Sequence, residues 1–522
     1  MSKSKKLIVF FLVFAVIAAV MTVEFSRRMT ASVEISAGPQ EPGAITSGGV
    51  AGNPSAGSFA WVLFIASLLI TGGIAFLVLR SGWKAEKLFL AMVIPIGIIY
   101  LFMMVPMAIP DEQVHYQTAY EMSSTILFRP GMGNLEHFDY TGLGGHYNLT
   151  SGMARVADEL FTPLKSGAET ALPYHYEPSY PVMYIPQALG LAIGRLLGGN
   201  FIRIFLTGRL FNLLFYALCV YWAIKLTPKY KTLFVMVGTM PMCIHQAASF
   251  SYDAYNIGGA LLLLALVFRA AEGKDRITIR EFAVIALTGL LLIPAKPTNC
   301  PLVLIYLLIP GERFGSKKQR WLWILGAWAL TAGVAALFQL GGITSVAGSG
   351  ATATNWEGKQ NYTIAYALSN PGETIKIYFN TIRRYGSELF YQMFGSVMAG
   401  QTLPIPGKYI KVYLLMMILV VLRRENQEAT ITWKHRAVFL GSDALIVLLT
   451  MTTMFLAWTS VGEATIQGLQ GRYFIPCLLP ALLCLENSVI RVHKDVRAFA
   501  MVVGIIAQMG IILEVLLKSM LF

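Results

Sequence analysis

Apolar residues fall into long runs along almost the whole chain, at about 7–23, 59–79, 88–109, 203–225, 231–249, 255–270, 281–295, 299–310, 321–341, 408–423, 436–457, 473–490 and 498–518. Crossing the hydrocarbon core of a bilayer takes about 20 apolar residues as α-helix. The pattern therefore predicts an all-α polytopic membrane protein with about 13 transmembrane helices. Two of the runs, 281–295 and 299–310, are short and interrupted by Pro294, Pro297 and Pro301, which predicts a hairpin of discontinuous helices. A further apolar stretch, 181–198, is read as a juxtamembrane helix in the interface, because counting it as a span would move the basic connectors to the wrong side.

Between the first two runs lies a Gly/Ser/Pro-rich stretch. It divides the chain into an N-terminal anchor helix with a flexible linker, 1–58, and a membrane domain, 59–522. The first run follows Lys3, Lys5 and Lys6 and lacks a small-x-small cleavage site, so a retained anchor is expected. Two long polar loops remain, 110–201 and 342–408, rich in Tyr, Gly, Asn and Pro. They are expected to contain short helices and to pack on the bundle as lids.

Composition agrees with the pattern. Apolar residues make up 56% of the chain and charged residues 13%, about half the usual charged share of a soluble domain. The net charge of +13 first suggests a nucleic-acid partner, but more than half of the 41 Lys and Arg residues sit in short connectors such as Arg80/Lys84/Lys87 and Lys225/Lys229/Lys231. That is the distribution of cytoplasmic loops, and most acidic residues fall on the other side. The N-terminus is accordingly expected in the cytoplasm, the two long loops outside, and no nucleic-acid partner. The five cysteines lie in or beside apolar segments without ligand-like spacing and read as small buried residues.

Candidate chemistry gathers on the expected outer face. Pro110-Asp111-Glu112-Gln113-Val114-His115 follows the third run directly. Adjacent carboxylates there could activate an acceptor hydroxyl or coordinate a divalent cation such as Mg or Mn, and i, i+4 spacing puts His115 on the face of Asp111. The same residues equally suit a solvated helix start. Asp253 heads an otherwise apolar helix, with His245 and Asn256 nearby. Lys296 is a lone cation between proline-broken helices, and Arg472 follows Gln470-Gly471 just before the twelfth run. Either cation suits a phosphate at headgroup level, and either also suits simple anchoring to lipid headgroups. The aromatic stretch Tyr174–Tyr180 suits sugar stacking, but Tyr is expected at a membrane interface in any case.

Taken together, Pro110-Asp111-Glu112-x-x-His115, Ser251-x-Asp253 and Gln470-Gly471-Arg472-Tyr473-x-x-Pro476, with Asn370-Pro371 and Phe394-Gly395, resemble a bacterial membrane-protein family catalogued as domain of unknown function 2142. One departure is that Met398-Ala399-Gly400-Gln401 stands where the family pattern has an acid after Phe-Gly. The family is in turn similar to the GT-C superfamily of membrane glycosyltransferases, a likeness at the level of fold. That resemblance implies a GT-C-like bundle in the bacterial inner membrane. By the same resemblance Asp111 is the catalytic acid of the first outer loop, Asp253 a second active-site residue, and Lys296 and Arg472 the holders of a lipid-linked phosphate. The implied partners are a polyprenyl-phosphate sugar donor and a glycan or lipid-linked acceptor.

Three functions compete on these residues: a polyprenyl-phosphate-dependent glycosyltransferase, a polymerase or ligase acting on lipid-linked oligosaccharide, and a transporter or flippase for lipid-linked saccharide. Transporters concentrate charge near the bilayer midplane. Here most charges sit at span ends, with Arg209 and Asp443 as exceptions, which places transfer first.

Overall fold

The computed structural model describes residues 3–37, 54–134, 149–161, 169–172, 181–348, 358–424, 430–487, 489–492 and 494–519. The chain is an all-α polytopic membrane protein: in a bilayer each backbone N–H and C=O must find a partner within its own segment, which leaves long apolar runs no option but helix. Among the described residues eight helices are long and apolar enough to cross a membrane. They are α1 (Lys3–Ala37), α2 (Pro54–Arg80), α3 (Ala85–Met103), α7 (Phe201–Leu226), α10 (Asp253–Glu272), α12 (Lys317–Gly348), α16 (Trp433–Ala457) and α18 (Arg497–Ser519). Between α3 and α7 lie the shorter α4 (Glu112–Ile126), α5 (Leu149–Leu160) and α6 (Ile185–Leu196).

The other five expected spans are shorter or broken elements. Run 231–249 is split at Thr239-Met240 into α8 (Lys231–Gly238) and α9 (Pro241–Ala247), since Pro241 has no N–H with which to continue the ladder. The expected discontinuous hairpin is α11 (Ile279–Ala295) followed by a 3-10 helix, Pro297–Leu308, with the chain extended at Lys296 (φ −151°, ψ 87°). At about 2 Å rise per residue that 3-10 helix reaches further than an α-helix of the same twelve residues. Beyond α12 come α13 (Ile364–Ser369), α14 (Pro371–Gln392), α15 (Gly407–Val421) and α17 (Ile475–Leu483). The last two complete the runs beginning near 408 and 473. β-structure among the described residues amounts to three two-residue ladders and one isolated bridge, Asn361 to Ser460.

Position in the bundle follows side-chain size and polarity. α18 is almost wholly enclosed, whereas α1 leaves Ile8, Leu12, Val16, Val20 and Val23 exposed at helical spacing, as on a lipid-facing surface. The apolar stretch at 181–198 does not span: its twelve-residue helix α6 lies against α7. The approach is close enough that a Cβ on Gly190 would stand 2.5 Å from the Thr207 carbonyl oxygen and 2.9 Å from the Gly208 Cα. Small residues at such crossings let helices pack without a solvent-driven hydrophobic effect.

Candidate functional site

The site is built where α3 stops. Arg209, fully buried on α7, caps that end by donating to the carbonyl oxygens of Leu101 (3.3 Å), Met104 and Val105 (3.2 Å). These are acceptors that a helix C-terminus leaves without intrahelical partners. The same guanidinium holds Glu112 through Nε–Oε1 at 2.8 Å and Nη2–Oε2 at 2.6 Å. Glu112 also accepts from the backbone N–H of Met107 (3.0 Å) and Phe250 (3.2 Å), so its carboxylate is fully engaged inside the protein.

This network corrects two expectations. Glu112 neither shares a site with Asp111 nor faces an incoming acceptor; it is an anchor for the turn between α3 and α4. The Asp111–Glu112 pair therefore does not fit a divalent cation, because both Glu112 oxygens are committed to Arg209 and to backbone donors.

Asp111 itself is held in the left-handed region (φ 61°, ψ 9°), an uncommon conformation for a residue other than glycine. An Asp before a helix ordinarily accepts from the first-turn N–H groups, but here no side-chain cap forms. Its Oδ2 instead accepts from Arg472 Nη2 at 2.8 Å. The Asp111 side chain is 56% exposed and that of Arg472 only 5%, so the carboxylate stands at the mouth and the guanidinium behind it.

Arg472 lies in the 3-10 turn Gly471–Phe474 that opens α17. Gly471 is required there: the Leu389 carbonyl and the Gln392 side chain at the end of α14 leave no room for a Cβ, and the Gly471 N–H donates to Gln392 Oε1 (3.0 Å). Arg472 Nε also stands 3.3 Å from Asp253 Oδ2. Asp253 begins α10, its loop fastened by Asn212 of α7, which donates to the carbonyls of Ser249 (2.7 Å) and Ser251 (3.1 Å). The other Asp253 oxygen meets Lys296 Nζ at 3.5 Å. Lys296 sits in the break between α11 and the 3-10 helix, with its ammonium 3.9 Å from the centre of the Tyr473 ring. The result is an alternating row, Asp111–Arg472–Asp253–Lys296, drawn from four separate parts of the chain.

His115 flanks this row. Its Nδ1 is 2.8 Å from the Tyr184 hydroxyl, and its ring packs edge-on against Tyr252 at 5.0 Å. Burial pushes its pKa down to about 4, against the opposing pull of Asp111, so the imidazole is neutral at pH 7. Burial likewise lowers the Lys296 ammonium, partly offset by Asp253, and raises the phenols of Tyr184 and Tyr252. Gln470 lines a recess of about 20 Å³ on the far side of Arg472, with Pro110, His245, Gln246, Gln392 and Gln401. That is room for about one water.

The structure thus brings together Asp111, His115, Asp253, Lys296 and Arg472, places Gln470 beside them, and turns Glu112 away. Tyr184, Tyr252 and the anchoring role of Arg209 were not legible as site features, although a charge inside an apolar run signals that a partner exists. The aromatic stretch 174–180 lies outside the described residues. After Phe394-Gly395, Ala399 and Gln401 take positive φ in the turn joining the small ladder Val397-Met398/Leu403-Pro404. The Ala399 N–H faces His245 Nε2 at 3.4 Å.

A family model described as Predicted membrane protein (DUF2142) matches residues 94–481, and the chain belongs to that family. No curated protein and no solved structure matches it.

Proposed function

We propose that this DUF2142 protein is a membrane glycosyltransferase that takes a sugar from a polyprenyl-phosphate carrier on the extracytoplasmic side of the bacterial inner membrane, in cell-surface polysaccharide assembly or modification. The observation that carries the reading is Arg472, a buried cation bridging one exposed carboxylate, Asp111, and one buried carboxylate, Asp253. The reaction class comes from the resemblance of the sequence motifs to GT-C enzymes, an analogy rather than a match.

In this reading the ion pair is a resting state. A donor phosphate competes with Asp111 for the Arg472 guanidinium, which suits bidentate oxyanion recognition, while Asp253 keeps that side chain in place from behind. Released from its counter-ion, Asp111 is free to meet the acceptor. It takes the proton of an acceptor hydroxyl; the hydroxyl oxygen bonds to the anomeric carbon; the bond from that carbon to the phosphate oxygen breaks with inversion. Both electrons of the broken bond leave on the polyprenyl phosphate, where Arg472 and Lys296 stabilise the developing charge. Neutral His115, fixed by Tyr184, orients the acceptor.

The experiment is a comparison of cell-surface glycans from cells carrying wild type or Asp111→Asn. Loss of a glycan modification at equal membrane protein level is expected. Unchanged glycans in the variant sink the assignment.

A further inference from the structure

α10 runs from the site to a second feature of the molecule. Asp253 is its first residue and Glu272 its last, and twenty helical residues cover about 30 Å, the thickness of the hydrocarbon core. At the far end Glu272 pairs with Lys229 at 2.6 Å. Lys229 lines a cavity of about 570 Å³, far larger than the recess beside Arg472.

Four cations border this cavity: Lys229, Lys231, Lys494 and Arg497. Two of them have their charge answered, Lys229 by Glu272 and Arg497 by Asp495 at 2.5 Å. The other two do not. Lys231 donates to the backbone carbonyl of Lys225 at 3.1 Å, and Lys494 is exposed with no carboxylate partner among the described residues. Of the two acids in the described lining, Asp495 is taken by Arg497, and Glu486 is buried and already accepts from the Tyr230 hydroxyl (2.9 Å) and the Ile431 N–H (2.9 Å).

The backbone adds to this positive balance. Tyr230 precedes α8 at φ 59° and supplies no side-chain cap, its phenol hydroxyl lying too far along the ring to reach the first-turn N–H groups and bonding Thr430 and Glu486 instead. The first-turn residues Lys231, Thr232 and Leu233 all line the cavity. An uncapped helix N-terminus beside uncompensated cations favours an oxyanion.

We infer that this cavity is an anion site at the membrane surface opposite Asp111, taking the phosphate group of a lipid headgroup or of a soluble phosphate compound. It is independent of the reading of the Asp111 end. A plain excess of basic residues on one side of a membrane protein explains Lys and Arg in connectors. It does not explain a cavity of this size in which, among the described residues, Lys231 and Lys494 meet no carboxylate while Asp495 is held by Arg497 and Glu486 by hydrogen bonds.

The test uses the purified full chain in phosphatidylcholine nanodiscs with two probes, added phosphatidylglycerol and titrated inorganic pyrophosphate. Thermal midpoint and lipid retained in native mass spectrometry are the readouts. Phosphatidylglycerol binding that falls by roughly tenfold or more in Lys231→Gln/Lys494→Gln, yet persists in Lys317→Gln/Lys318→Gln, supports the site with a lipid headgroup as ligand. Lys317 and Lys318 are exposed cations outside the cavity and serve as the control. The same pattern with pyrophosphate alone supports a soluble ligand. Lys494→Gln by itself, at an exposed position that does not endanger folding, gives an intermediate loss. Equal weakening in both double variants, or no binding of either probe, overturns the inference.

Discussion

Asp111 and Glu112 are neighbours in sequence and opposites in environment, and substitution separates their roles. Removing the charge of Glu112 leaves Arg209 buried without its counter-ion, which costs about 3–5 kcal/mol. Glu112→Gln is therefore expected to lower the thermal midpoint in detergent sharply or to deplete the protein from membranes. Asp111→Asn removes an exposed partner while Arg472 retains Asp253, so its midpoint is expected to stay close to wild type. Similar losses in the two variants would contradict the division into anchor and reactive group. His115 adds a pH signature. Its folded pKa of about 4 lies below the ordinary value of 6.5, so the unfolded chain takes up a proton first on acidification. Stability from this residue is complete above pH 6.5 and drains away as pH falls from 6.5 toward 4, by on the order of 3 kcal/mol in all. Thermal midpoints measured between pH 7.5 and 5 should fall less steeply in His115→Gln than in wild type; parallel slopes would remove His115 from the buried set.

At the scale of elements, the crossing of α6 on α7 holds together the two helices that carry Tyr184 at one end and Arg209 and Asn212 along the other. Gly190→Leu is expected to separate them and lower the thermal midpoint by many degrees, since its Cβ would meet the backbone of α7. Gly73→Ala in α2, where a Cβ meets nothing within 4 Å, is the matched control and should leave the midpoint unchanged or slightly raised. Equal effects would mean that the crossing is not tightly packed. This level also shows what could be read without coordinates. The break at Lys296 was legible, because Pro297 has no N–H with which to continue the α-helical ladder. The short element at 181–198 was legible from charge placement. The count of about 13 spans against eight long helices among the described residues reflects hydropathy, which registers apolar length and does not register where Pro241 breaks the ladder. The direction of Glu112 was illegible for a different reason: its partner Arg209 lies 97 residues away, and periodicity along α4 carries no trace of it.

For the whole molecule, two ends of one bundle carry different equipment, an alternating acid–base row around Arg472 and a basic cavity around Lys231. Orientation is the first thing to establish. A membrane-impermeant thiol reagent applied to intact cells is expected to label Phe128→Cys, which is 93% exposed near the Asp111 end, and to reach Lys318→Cys only after permeabilisation. The reverse pattern would turn the molecule over and place Asp111 on the cytoplasmic side. The proposed function then turns on Arg472 and the carboxylate in front of it. The most direct measurement is transfer of labelled sugar from synthetic polyprenyl phosphate by the purified, reconstituted protein, with thermal midpoints recorded on the same samples. Wild type should transfer, and Asp111→Asn should lose transfer by roughly a hundredfold or more at an unchanged midpoint, the size of effect expected for a positioned general base. Transfer by a well-folded Asp111→Asn at the wild-type rate would contradict it.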